Sequence, residues 1–250
     1  MPAKPPVTYD SDDLPGGDRI VRSLGLQAVG QMEIAARVRA GRAHEWDHRV
    51  VGVLRFVANY VTQTGARILP GESLEYGWTF FRFVQRTPAL LEAYELEDVY
   101  SEDPQPPVVP GVDRAIRLGD AADDVMRRNR LTGTGDFPYR GKTAVSCVHW
   151  PNAPMCRLFL ERLEPHEARD SGWTVFCGDK DQNHPDADLV IEHLAHIAAR
   201  RPFIVPYLTM PTGCAAGFDD EGAIVFPSNE DGGRRDPVNP FGFGPASVNR

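Results

Sequence analysis

Apolar residues alternate between Gln31 and Val38, where Met32, Ile34, Ala36 and Val38 take every second position. That period belongs to a half-buried strand. After Gly41 the period changes: Trp46, Val50, Val53, Leu54, Val57 and Val61 form one stripe at helical spacing, and Gly65 supplies a stop. A Pro70-Gly71 turn then leads into the aromatic and β-branched run from Gly77 to Val84, which predicts a strand buried against that helix. Leu90 to Val99 fits a short helix or a strand equally well. Ser101 to Pro110 carries prolines at 104, 106, 107 and 110, which favour extended backbone and exclude a central strand. A helix with a weak apolar stripe follows over Val112 to Arg130, and the glycines at 133 and 135 with Pro138 break the pattern.

The second half predicts strands first, over Ala144 to Val148, Arg157 to Leu163 and Gly172 to Cys177. The Pro151-Asn152-Ala153-Pro154 turn separates the first two, and a turn at Asp170-Ser171-Gly172-Trp173 opens the third. A polar loop spans Gly178 to Pro185. Leu189, Val190, Leu194 and Ile197 then place a helix over Ala187 to Arg200. Pro202, Pro206 and Pro211 make Phe203 to Leu208 extended or a short turn. A last hairpin pairs Cys214–Phe218 with Ala223–Phe226 around Asp219-Asp220-Glu221-Gly222. The tripeptide Gly77-Trp78-Thr79 recurs as Gly172-Trp173-Thr174, which two buried strands reach by convergence more readily than by duplication. The pattern as a whole predicts an α+β chain, with antiparallel sheets and packed helices in two units, 19–100 and 143–227. A Pro/Gly-rich linker region containing one helix joins them at 101–142. Residues 1–18 read as a flexible arm and 228–250 as a loosely held tail.

Composition narrows the function without naming it. The 250 residues are 42% hydrophobic and 25% charged, with a formal charge of −8. Those values fit a globular chain long enough to bury a core, and they exclude a nucleic-acid-coating surface, which needs a basic face. No stretch approaches the ~20 apolar residues of a membrane span. The prolines and aspartates of residues 1–17 do not form a secretory signal, so a cytoplasmic protein is expected. Cys147, Cys156, Cys177 and Cys214 contain no C-x-x-C pair and read as small buried apolar residues in a reducing compartment.

Candidate chemistry is sparse. The nearest approach to a metal set is His193 and His196 at i and i+3, with Cys177, Asp179 and His184 nearby in sequence. A zincin helix needs its histidines at i and i+4, so no metal is expected. Ser171 sits in Arg-Asp-Ser-Gly-Trp, not in a G-x-S-x-G elbow, and suits a turn that hydrogen-bonds its own backbone. The paired glycines at 133 and 135 and at 242 and 244 lack the lysine and further glycine of a phosphate loop. No catalytic residue and no cofactor is expected. Acidic residues cluster at Asp179, Asp181, Asp186 and Asp188, and again at Asp219, Asp220 and Glu221. Without the glycine and terminal glutamate of a calcium loop they read as a solvated rim, or as a docking surface for a basic protein.

The run Asp170-Ser171-Gly172-Trp173, followed four residues later by Gly178-Asp179, resembles the D-S-G-W-x-x-x-x-G-D signature of the immunity-protein-thirty-three family. Ile197-Ala198 with Pro202, Ile204, Pro206, Tyr207 and Leu208 is similar to the family's next stretch. Pro211 and Gly213 resemble its approach to the last strand, and Val145-Ser146 its upstream strand. The resemblance covers residues 144–226 and departs at Lys180, where the family carries an acidic residue. It implies a bacterial domain from toxin-immunity loci that binds and neutralises a cognate protein toxin; the acidic charge and the lack of a membrane-length apolar run point to neither nucleic acid nor membrane as partner. Two other roles compete with that reading. One is an enzyme or small-ligand protein with a site between the halves, drawing on His149, Cys177, Asp179 and His193. The other is an adaptor in which the second half is a scaffold.

Overall fold

A computed structural model describes residues 7–39, 43–132, 136–154, 157–178, 184–227 and 233–236; the side chains of residues 43–47 and 235 are outside it. The chain is α+β and divides into two compact units. The first is Met1–Val99 with Pro104–Arg117, and the second is Tyr100–Asp103 with Leu118–Arg250.

The first unit is built on a seven-stranded sheet. β1 (Thr8–Asp13) pairs antiparallel with β2 (Arg19–Leu24), so the expected flexible arm is in part a strand. Its alternating polar pattern is half-exposed, and Arg22 of β2 bridges to Asp10 and Asp12 of β1, a charge pairing that hydropathy alone does not reveal. β3 (Glu33–Val38) follows and is buried on both faces, where a half-buried strand was expected. Its other face carries Glu33, whose carboxylate accepts from Ser23 Oγ and from the backbone N–H groups of Gly25 and Gln27.

Helix α1 (Ala43–Thr64) lies against β2 and β3 and buries Val50, Val53, Leu54, Val57 and Val61 as its stripe requires. The antiparallel strands β4 (Ser73–Tyr76), β5 (Thr79–Thr87) and β6 (Leu90–Leu96) return the chain to β3. β6 settles the ambiguity over Leu90–Val99 in favour of a strand. It pairs in parallel with β3, so the sheet is mixed rather than antiparallel. The α1 crossover is what makes that pairing possible. β7 (Val108–Pro110), inside the proline-rich stretch, pairs antiparallel with Tyr94–Leu96 of β6, beyond the residues of β6 that pair with β3. Helix α2 (Asp113–Arg128) starts with the backbone N–H groups of Arg114 and Ala115 donating to the buried Glu95 carboxylate, at 2.6 and 3.1 Å.

The second unit carries another seven-stranded mixed sheet. β8 (Thr143–Cys147), β9 (Leu158–Arg162) and β10 (Asp170–Cys177) do not pair in sequence order. β10 inserts between the other two, parallel to β8 and antiparallel to β9. The segment expected as one helix over Ala187–Arg200 is instead a strand, β11 (Leu189–His193), and a short helix, α3 (Leu194–Arg200). The open edge of β8 takes up the β-branched Val190 and Ile191, and that pairing overrides the helical spacing. A 3-10 turn over Pro202–Thr209 follows. The hairpin β12 (Ala215–Asp219) and β13 (Gly222–Phe226) then extends the sheet from β9.

The tail expected to be loosely held supplies β14 (Arg234–Arg235) and a buried Asp236. That carboxylate receives Arg128 at 3.0 and 3.2 Å, Asn129 Nδ2 at 3.1 Å and the Tyr207 hydroxyl at 2.9 Å. A buried acid so fully hydrogen-bonded fixes its segment to α2 and to the 3-10 turn. Burial and the neighbouring Asp236 charge push the Tyr207 hydroxyl well above its ordinary range, so it stays protonated and donates.

Candidate functional site

The Asp170-Ser171-Gly172-Trp173 motif is the opening of β10, not a free turn, and each of its residues has a structural task. Asp170 Oδ1 accepts from the Gly172 N–H at 2.8 Å, and its Oδ2 accepts from the His166 N–H at 2.9 Å. Ser171 is buried; its hydroxyl donates to the Thr143 carbonyl at 2.7 Å and accepts from the Trp173 N–H at 3.2 Å. With both roles of the oxygen taken by backbone, the serine serves the fold and not a nucleophilic step. Gly172 has φ 75°, and a Cβ there would stand 2.2 Å from the Leu163 carbonyl oxygen. Only glycine meets both demands, and the register of β10 against β8 shifts at this point. Trp173 is buried, donates its indole N–H to the Leu208 carbonyl at 3.1 Å and packs under Arg162.

Trp173 shares the inner face of the sheet with Leu160, Val175, Ala216 and Val225, all buried, and the Pro202–Thr209 turn lies against that face through the Trp173–Leu208 hydrogen bond and the Tyr207–Phe218 ring contact. The alternation of each strand sends the intervening residues to the opposite face. There the register aligns Phe176 with Phe159, Phe159 with Gly217, and Gly217 with Ile224. Gly217 adds no side chain to this apolar row, and the Phe159 and Phe226 rings lie beside it. The result is a cleft of about 750 Å3 walled by Phe159, Phe176, Ile224 and Phe226, all half-buried. Arg157, Asp219 and Asp220 rim it where β9, β10 and β12 end. An apolar floor within a charged rim is the make-up of a recognition surface.

The expected acidic residues separate into three groups. Asp219 and Asp220 line the cleft, and Glu221 sits beside them in the tight turn, its N–H donating to Asp219 Oδ1 at 2.9 Å. Asp186 and Asp188 precede β11, with Asp188 Oδ2 3.4 Å from His149 Nε2. Asp179 and Asp181 lie outside the described residues. The histidine pair of the sequence reading does meet, as His193 and His196 rings 5.7 Å apart, and His193 Nδ1 is 2.9 Å from the Gly141 carbonyl.

A tighter cluster forms elsewhere. One ligand-capable atom each from Cys147, Cys177 and His184 lie within 4.8 Å of one another, and the latter two line the cleft. Sequence spacing associated Cys177 with His184 but missed Cys147, because that contact depends on β8 and β10 lying side by side. The described cysteines, 147, 177 and 214, are buried and form no disulfide.

Residues 151–227 match the model of the Imm33-like domain. The matched segment covers less than half of the chain and runs from the turn before β9 to the end of β13. It includes the motif, the cleft and the inner-face core. No curated protein and no solved structure matches the chain. Among the described residues no helix is long and apolar enough to cross a membrane.

Proposed function

We propose that the second unit is an immunity-type binding module that neutralises a cognate protein toxin by covering its surface, without catalysis. The observation that carries this reading is the Imm33-like match over residues 151–227. The geometry supports it in a specific way. The motif residues are spent on holding β10, so partner contact falls to the opposite sheet face. That face combines aromatic anchors, Phe159 and Phe176, with a charged rim of Asp219 and Asp220. In such an interface a few large side chains seated at the centre supply most of the affinity, and acidic rim groups speed encounter with a basic partner. Asp186, Asp188 and Glu221 extend the acidic character along the same unit, as Asp179 and Asp181 do in sequence.

A cleft of this volume also suits a small ligand, which is the second reading. Co-expression with toxins encoded beside the gene separates the two. Growth rescue together with co-purification of a 1:1 complex is the expected result. Rescue by none of the neighbouring toxins would reject the immunity role.

A further inference from the structure

We propose that Cys147, Cys177 and His184 bind Zn2+ through two thiolates and one imidazole, leaving a fourth coordination position open to the cleft. Cys147 is the last residue of β8 and Cys177 the last residue of β10. Because these strands are parallel neighbours, the sheet delivers both sulfurs to the same end. His184 arrives on the return from β10 and stacks on Phe176, with ring centroids 5.3 Å apart, which fixes its plane.

The spacing fits the ion. Cys177 Sγ and His184 Nε2 are 3.6 Å apart. Zinc bonds of about 2.3 Å to sulfur and about 2.0–2.1 Å to nitrogen, set at the tetrahedral angle, require a separation of roughly 3.6 Å.

The surroundings fit as well. Both sulfurs are buried, where an uncompensated thiolate would be costly; two thiolates offset the charge of a divalent cation. The Cys177 N–H donates to Cys147 Sγ at 3.3 Å, a contact that stabilises a sulfur carrying negative charge. His184 Nδ1 is buried with no hydrogen-bond partner among the described residues. A proton on Nδ1 leaves the Nε2 lone pair facing Cys177 Sγ. Binding then replaces the two thiol protons, which leave to solvent, with one Zn2+ held by two Zn–S bonds and one Zn–N bond. His149 is the nearest further imidazole, its ring centroid 6.2 Å from that of His184, and it faces Asp188 instead. Three protein ligands and one open position are the arrangement of zinc sites that accept an outside ligand. Cys147 lies outside the segment that matches the Imm33-like domain, so the site belongs to this chain's own strand β8. It does not depend on the toxin-binding reading.

The test uses the full chain, reduced and metal-free. Titration with Co2+ should give one ion per chain with sulfur-to-cobalt charge transfer in the near ultraviolet, and Zn2+ should displace it. Cys147→Ser and Cys177→Ser should each remove about half of that band, as the loss of one of two thiolates demands. His184→Ala, at a half-buried position, should weaken Zn2+ by about tenfold or more, and His149→Ala should change it by less than about twofold. A readout on the unaltered chain covers the case in which a cysteine variant fails to fold. Zn2+ should slow thiol modification at two of the four cysteines, and a chelator should restore it. No charge-transfer band, no thiol protection, or a band unchanged in Cys147→Ser would overturn the site. Equal loss in His149→Ala would overturn the open position.

Discussion

The two faces of the second unit's sheet carry similar apolar content and differ in how far they bury it. The inner face holds Trp173, Val175, Leu160 and Val225 at or near complete burial, with the Pro202–Thr209 turn against it. The outer face sets Phe159, Phe176, Ile224 and Phe226 around a cleft and leaves them half-buried. The most conspicuous sequence motif serves the inner face, while the surface with the composition of an interface is drawn from residues of no special pattern. A motif that names a domain can therefore mark how the domain is built rather than where it binds.

The largest expected effect breaks the inner face. Trp173→Ala removes a buried indole and its bond to Leu208, and should lower unfolding stability by about 3–5 kcal/mol in denaturant titration. Gly172→Ala adds strain at a positive φ to a clash with the Leu163 carbonyl, and should cost about 2–4 kcal/mol in the same assay. On the outer face the expectation inverts. Phe159→Ala should cost only about 1 kcal/mol, because the ring is already partly in solvent, and should weaken partner capture far more than folding. Reversing the rim with Asp219→Lys and Asp220→Lys should leave the melting temperature nearly unchanged and slow association with a basic partner. That effect should fade as salt is raised.

The smallest effect lies in the first unit. Burial holds the Glu95 carboxyl above its ordinary range, so folding takes up a proton. Its contribution is complete below the ordinary carboxylate value and is lost as pH rises through the raised one. The stability difference between the unaltered chain and Glu95→Gln should follow that pH course and flatten at neutral pH.

Much of the fold was legible from periodicity. The α1 stripe, the three strands opening the second unit and the β12–β13 hairpin all follow from local spacing and turn residues. The failures share one cause, which is pairing between segments far apart in sequence. Leu189 to His193 has helical spacing but a strand partner in β8. Thr8 to Asp13 looks like a solvated acidic arm until Arg22 is placed beside it. Asp236 sits in a polar tail whose anchor, Arg128, is more than a hundred residues upstream. The sites follow the same rule. The acidic pair at 219 and 220 was visible as charge, whereas the aromatic row and the Cys147–Cys177–His184 cluster exist only once β10 lies between β8 and β9.

The central claim is that the outer face binds and the inner face only folds, and one substitution tests it most directly. Phe159→Arg places a charge in the middle of the cleft without touching the inner core. The variant should melt within about 4 °C of the unaltered chain, consistent with a cost near 1 kcal/mol in a domain of this size, and should fail to rescue growth against a toxin that the unaltered chain neutralises. Full rescue by a folded Phe159→Arg protein would contradict the account.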